Sequence, residues 1–63
     1  MFYRVRAVVH LDTEDIHEEH DFDNHALAQE CFSNYSEKYD AFSVWLYSVS
    51  SSGEQKILRM MYV

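Results

Sequence analysis

The residues that could do chemistry are concentrated between positions 12 and 23, where seven carboxylates occur without a lysine or arginine. We call these seven residues the acidic strip: Asp12, Glu14, Asp15, Glu18, Glu19, Asp21 and Asp23. The other 51 residues carry four acids and five bases, so the strip accounts for the net charge of −6. Carboxylates at this density could hold a metal together with nearby histidines, carry out acid–base catalysis, or attract a basic partner.

The candidate metal motif is His17-Glu18-Glu19-His20, with His10, His25 and Cys31 as further potential ligands. Its alternating pattern favours a strand, in which residues three apart point to opposite faces and cannot bind one ion together. Only a helix would bring the two histidines of the motif to one side. Four histidines and one cysteine also match no closed zinc pattern, so we predict no metal and no other cofactor.

Catalysis is disfavoured by the surroundings that the pattern predicts. Paired carboxylates need a concave, partly dry site to separate their pKa values, and an edge strand with a turn offers none. Cys31 could be a nucleophile beside a histidine, but it falls on the apolar stripe of a helix, where a small apolar side chain is ordinary. The single glycine, Gly53, lies in a hairpin and not in a phosphate-binding loop. We therefore predict that the protein is not an enzyme.

Length and composition predict a single domain spanning residues 1–63. One cysteine excludes an internal disulfide, and 48% apolar with 16% aromatic residues argues against disorder. Neither a secretory leader pattern nor a long apolar run is present, so we expect a soluble cytoplasmic protein, in the host cytoplasm if it is viral. A charge of −6 disfavours direct contact with nucleic acid or anionic membrane and favours a basic partner.

Hydrophobic periodicity predicts four strands, at residues 2–11, 16–22, 41–49 and 55–63. Between the second and third strands, Asp23 or Asn24 caps a helix that extends to about Tyr39. An Asp23 cap would let Phe22 pack on Leu27. The apolar stripe of this helix is predicted to consist of Leu27, Ala28, Cys31, Phe32, Tyr35 and Tyr39.

The predicted fold class is α+β in the order β-β-α-β-β: a four-stranded, mainly antiparallel sheet with one helix packed on one face. The other face keeps Phe2, Trp45 and Tyr47, together with either Ile57 and Met61 or Leu58 and Met60. Such a patch is rare on soluble monomers, and it indicates either a homodimer or a docking surface for another protein. The aromatic residues of this face, with Arg4 and Arg6 beside them, could stack on the bases of RNA. The element order and the negative charge disfavour RNA binding.

The acidic strip has the spacing of a nucleic-acid decoy. Alternate residues of a strand lie roughly 6.6–6.8 Å apart, which would place Glu19, Asp21 and Asp23 in a row similar in spacing to the phosphates of one strand. The alternative is a solvated edge that prevents pairing between sheets. Seven acids exceed what edge protection needs, and they accompany surplus aromatic surface, so we favour a binding role.

This combination resembles the small acidic proteins with which bacteriophages disable host enzymes, including uracil-DNA glycosylase inhibitors, other DNA mimics and phage inhibitors of host RNA polymerase. The resemblance rests on size, acidity, strands on both sides of one helix, and a final hairpin written here as Trp45-Leu46-Tyr47 followed by Ser52-Gly53-Glu54-Gln55-Lys56-Ile57. It implies a viral inhibitor that occupies the basic nucleic-acid site of a host DNA- or RNA-acting enzyme. The alternative from another class is a structural homodimer or assembly component joined through the aromatic face.

Overall fold

The structure, a computed structural model, describes all residues from 1 to 63 and contains the predicted five elements in the predicted order. The strands and the helix have the following bounds: β1 Phe2–His10, β2 Asp15–Phe22, α1 His25–Lys38, β3 Phe42–Val49 and β4 Gln55–Tyr62. The predicted α+β class and the β-β-α-β-β layout are therefore confirmed. Each boundary lies within about two residues of the prediction, the usual uncertainty at element ends.

The four strands form one antiparallel sheet in the order β2-β1-β3-β4. Both β2 and β3 pair with β1, so these two strands run parallel to each other and α1 crosses one face of the sheet between them. The strands β2 and β4 are the two edges. The helix has 14 residues, and no helix of the chain has the length and apolar character needed to cross a membrane.

The core lies between α1 and the two central strands. Alternation along β1 turns Val5, Ala7 and Val9 toward the helix, and all three are buried. Ala28, Phe32 and Tyr35 of α1 pack on them together with Phe42, Val44 and Leu46 of β3. Seven of the ten buried residues lie on β1 and β3 and none on β2 or β4, so both edge strands remain open to solvent.

Asn24, and not Asp23, caps the helix. Its side-chain oxygen accepts hydrogen bonds from the backbone N–H groups of Ala26 and Leu27, at 2.7 and 3.3 Å. With Asn24 as the cap, Leu27 is the third residue of the helix and not the fourth. The predicted packing of Phe22 on Leu27 required the fourth position, so this cap does not support it. Leu27 is 53% exposed and does not belong to the buried stripe that the sequence predicted for it.

A β-bulge in β4 corrects the predicted face assignment of the last strand. Leu46 lies opposite Arg59 and Tyr47 opposite Ile57, so Leu58 has no opposing residue on β3. A bulge of this kind reverses the alternation beyond it. Ile57 and Met60 therefore share the face of the sheet that α1 does not cover, which we call the open face, whereas Met61 packs against the core. Neither predicted pair, Ile57 with Met61 or Leu58 with Met60, describes this arrangement.

Candidate protein-binding site

The acidic strip occupies the β1–β2 turn and the length of the edge strand β2. Leu11 N–H donates to the carbonyl of Glu14 at 2.9 Å and closes the turn that carries Asp12. Six of the seven acidic residues are exposed, and Glu18 alone is half-buried. The seven acidic residues, which are close together in the sequence, therefore lie along one edge of the molecule.

The strip does not lie on a single face. Glu19 and Asp21 stand opposite Arg6 and Arg4 on the open face, whereas Glu18 stands opposite Ala7 on the side covered by the helix. Alternation along β2 requires this division. The predicted row keeps two of its three members on the strand, because β2 ends at Phe22 and Asp23 lies beyond it. The charges thus surround the edge of the sheet.

Arg4 of β1 partly neutralises the strip, although residues 12–23 contain no lysine or arginine of their own. Its Nε and Nη2 donate to the two carboxylate oxygens of Asp21 at 2.8 and 3.3 Å, and its Nε lies 3.4 Å from Glu19 Oε1. The hydrogen bond from Arg4 holds the pKa of Asp21 below its usual range, and the same bond raises the pKa of Arg4. The alternating pattern and the short turn together predict which residues of β1 and β2 face each other, and therefore that Arg4 lies beside Asp21.

The histidines are dispersed around the same edge. Nδ1 of His10 lies 3.0 Å from Asp15 Oδ1. His17 is opposite Val8 on the open face and His20 is opposite Val5 on the helix side, so the two point apart as the strand prediction requires. No group of three or more histidine, cysteine, aspartate or glutamate side chains is arranged to hold a metal ion.

Glu18 makes the link between the strip and the helix. Its Oε2 accepts a hydrogen bond of 2.6 Å from the hydroxyl of Tyr35, a buried residue of α1. Burial raises the pKa of Tyr35 well above its ordinary value, and the hydrogen bond to Glu18 raises it further. The contact joins an edge strand to the core by one strong polar bond.

A groove of about 460 Å³ runs between β2 and α1 on this side of the sheet. Its lining includes Glu18, Phe22, Leu27, Tyr35, Lys38 and Tyr39. Cys31 also lines it, and burial raises the pKa of that thiol. The groove is not predictable from local periodicity, because its width depends on where the helix crosses the sheet.

The predicted aromatic residues do lie on the open face. Phe2 is opposite Val49, Trp45 is opposite Arg6, and all three of Phe2, Trp45 and Tyr47 are half-buried. The guanidinium of Arg4 lies 5.3 Å from the centre of the Phe2 ring. The face continues onto β4, where exposed apolar side chains reach the second edge of the sheet.

No protein-family model matches this chain, and searches of curated proteins and of solved structures also return no match. The inference of function therefore rests on the arrangement of this chain's own residues.

Proposed function

We propose that this protein is a non-enzymatic, acidic protein-binding module, a viral inhibitor that blocks the basic nucleic-acid-binding site of a host enzyme by DNA mimicry. The observation that carries the proposal is the concentration of the seven carboxylates of the strip at one turn and one edge strand. The partner is a DNA- or RNA-acting enzyme of the host cytoplasm, bound without direct contact between this chain and nucleic acid. Binding is stoichiometric and needs no cofactor.

The division of the charges between two faces supports insertion of an edge into a groove. Glu18 projects on the helix side, and Glu19 with Asp21 project on the open face. A partner groove that receives β2 would therefore meet carboxylates on both of its walls, as it meets phosphates on both strands of a duplex. The unpaired backbone edge of β2 would add hydrogen-bonding groups along the same line.

Charge remains available for a partner in spite of the internal ion pairs. Asp15, Glu19 and Asp21 are the strip members with a cationic or imidazole neighbour within 4 Å. The other four have none: Asp12, Glu14, Glu18 and Asp23. Uncompensated surface charge of one sign accelerates association with an oppositely charged site and makes it sensitive to salt.

The electrostatics of the candidate catalytic groups support a role without chemistry. The lowered pKa of Asp21 keeps this carboxylate ionised and makes it a weak general base near neutral pH. The raised pKa of Cys31 keeps its thiol protonated and weakly nucleophilic. Both shifts move away from the values that general-base or thiolate catalysis requires.

The test is a capture experiment with two matched variants. The strip variant carries Asp12→Asn, Glu14→Gln and Asp23→Asn, and the control variant carries Glu37→Gln, Asp40→Asn and Glu54→Gln. All six side chains are exposed and form no ion pair, so both variants lose the same charge with little expected effect on folding. The tagged proteins are exposed to bacterial lysate, and bound protein is eluted with short duplex DNA and then with high salt.

We expect duplex DNA to elute a nucleic-acid enzyme from the wild-type and control proteins. With the purified enzyme, the strip variant should associate roughly tenfold or more slowly, with a weaker dependence on salt. Equal association rates for the strip and control variants would refute the proposal, as would a partner that high salt releases and duplex DNA does not.

The second candidate function is a structural homodimer or assembly component. It is favoured by the exposure of Ile57, Met60 and Tyr62, which are 55%, 56% and 71% accessible and continue the aromatic open face. A surface of this kind on a soluble domain often marks an interface. Phe2, Trp45 and Tyr47 would form the central part of that interface.

Sedimentation equilibrium tests this candidate directly. A symmetric dimer that Trp45→Ala or Met60→Lys dissociates, and that high salt leaves intact, would favour the structural function. A monomer at concentrations well above those in the capture experiment would remove it.

A further inference from the structure

We propose that the groove between β2 and α1 takes an arginine side chain of the basic partner. The inference rests on the proposed function, which requires a basic partner, and identifies where one of its cations is bound. The groove is adjacent to the acidic strip, because Glu18 belongs to both. It therefore offers a pocket beside the charges that attract the partner.

The first argument is an unneutralised carboxylate in the groove. Glu18 is half-buried, accepts one hydrogen bond through Oε2 from Tyr35, and has no lysine, arginine or histidine nitrogen within 4 Å. Oε1 is left without a protein donor. A partly desolvated carboxylate is stabilised by a cation that also donates hydrogen bonds, and the Tyr35 bond holds Glu18 in position to receive one.

The second argument is the chemistry of the walls. Phe22, Leu27 and Tyr39 line the groove with apolar and aromatic surface, and Leu27 is more than half exposed at its border. An arginine side chain fits this composition, because its methylene stem packs on apolar groups while its planar guanidinium stacks on a ring and donates to a carboxylate. Lysine satisfies the carboxylate but lacks the planar group that stacks on aromatic rings.

The third argument is a cation of the chain itself at the same wall. Nζ of Lys38 lies 5.4 Å from the centre of the Tyr39 ring, yet it does not pair with Glu18. The ring thus attracts a positive charge in the isolated protein. An incoming guanidinium would compete with Lys38 for the ring and would gain the carboxylate in addition.

The experiment is an amide-resolved NMR titration of the whole protein with N-acetyl-L-arginine N-methylamide. The neutral probe N-acetyl-L-citrulline N-methylamide has nearly the same shape and serves as the control ligand. We expect saturable shifts at groove residues of β2 and α1 with the arginine probe and much smaller shifts with citrulline. Shifts confined to the open-face carboxylates Glu19 and Asp21, or equal binding of both probes, would overturn the inference.

Two variants make the assignment specific. Glu18→Gln keeps a carbonyl oxygen for the Tyr35 hydroxyl and removes the charge, so the dissociation constant for the arginine probe should rise several-fold. Lys38→Met removes the competing cation from an exposed position, and the same constant should fall. A Lys38→Met protein that binds the arginine probe no more tightly would contradict the inference even if Glu18→Gln were to fold poorly.

Failure of this inference is distinguishable from failure of the proposed function. The strip variant keeps every groove residue and should bind the arginine probe normally while associating more slowly with the partner enzyme. Normal partner binding by the strip variant with intact probe binding would reject the proposed function alone. Slower partner association by the strip variant, with no groove shifts from the probe in the wild-type protein, would reject the arginine site alone.

Discussion

The central strands β1 and β3 and the edge strands β2 and β4 belong to one sheet but have almost opposite surroundings. The central pair carries seven of the ten buried residues, whereas the edge pair carries none. Substitutions in the centre should therefore change the free energy of unfolding, and substitutions at the edges should change binding. The buried residues that stabilise the fold and the surface that we propose for recognition thus lie mainly on different strands of the sheet.

The two edges differ from each other as well. β2 presents carboxylates and histidines, while β4 presents Lys56 and Arg59 among exposed apolar side chains and contains the bulge at Leu58. Charged side chains and bulges both prevent an edge strand from pairing with the edge strand of another molecule. The edge strand β2 adds negative charge beyond that need and borders a groove, which is why we assign recognition to it.

The largest effect is expected from a matched pair of leucine substitutions. Leu46→Ala on β3 removes a fully buried side chain and should lower the free energy of unfolding by about 2–5 kcal/mol. Leu58→Ala on β4 removes a side chain that is 40% exposed and should lower it by less than about 1 kcal/mol. Urea unfolding measures both. Similar losses would show that the edge contributes to the core as much as the centre does.

The free energy of unfolding that Leu46→Ala removes is large relative to the total stability of the protein. A chain of 63 residues has an expected total stability of about 3–9 kcal/mol. The Leu46→Ala variant should therefore be measured with a stabilising osmolyte, which strengthens apolar burial. If Leu46→Ala is completely unfolded while Leu58→Ala stays native, the result also shows that the central strand contributes more stability than the edge strand.

A smaller loss is expected from Tyr35→Phe, which tests the side-chain hydrogen bond between Glu18 of β2 and the core. The substitution leaves the half-buried Glu18 carboxylate without its donor and should lower the free energy of unfolding by about 1–3 kcal/mol. Tyr39→Phe is the control, since the Tyr39 hydroxyl forms no hydrogen bond within the protein. Equal stability of the two variants would mean that the hydrogen bond from Tyr35 to Glu18 adds nothing to the stability of the fold.

The raised pKa of Tyr35 predicts a pH dependence at alkaline pH. The folded state keeps this phenol protonated at a pH where the unfolded chain releases the proton, so stability is full below about pH 10 and falls as pH rises above it. Thermal unfolding between about pH 9 and pH 11 should show a steeper decline for the wild-type protein than for Tyr35→Phe. Parallel curves would argue against a buried phenol.

The smallest effect concerns the exposed pair of Arg4 and Asp21. The lowered pKa of Asp21 favours the folded state above the pKa of the unfolded chain, and this contribution is lost as pH falls through the folded value. Carboxyl NMR should give a lower titration midpoint for Asp21 in the wild-type protein than in Arg4→Gln. An unchanged Asp21 midpoint in that variant would show that solvent screens the pair completely.

Particular residues show how far the sequence could predict the fold. Alternation along β1 is enough to place Val5, Ala7 and Val9 on one face, and all three are buried. The bulge at Leu58 escaped prediction, because an extra residue in one strand is defined only against its neighbour. The helix cap was narrowed to Asp23 or Asn24, and only the backbone geometry selected Asn24.

The candidate site was predicted in part. Clustering of seven acids in twelve residues is a property of the chain, and a hairpin must keep such neighbours together. The ion pair of Arg4 with Asp21 and the bond of Tyr35 to Glu18 each join residues 17 positions apart. The ion pair follows from the β1–β2 register, which the alternation and the short turn constrain. The Tyr35–Glu18 bond depends on where the helix lies on the sheet, which local pattern does not supply.

The sequence by itself determined the element types, the acidity of one segment and the apolar character of the central strands, because periodicity and charge are local quantities. The tertiary structure alone decided the strand order β2-β1-β3-β4, the hydrogen bond from Tyr35 to Glu18, and the groove beside α1 in which Glu18 has no cationic partner. Those features require segments distant in sequence to meet. Their positions follow from packing and register, which no single segment encodes.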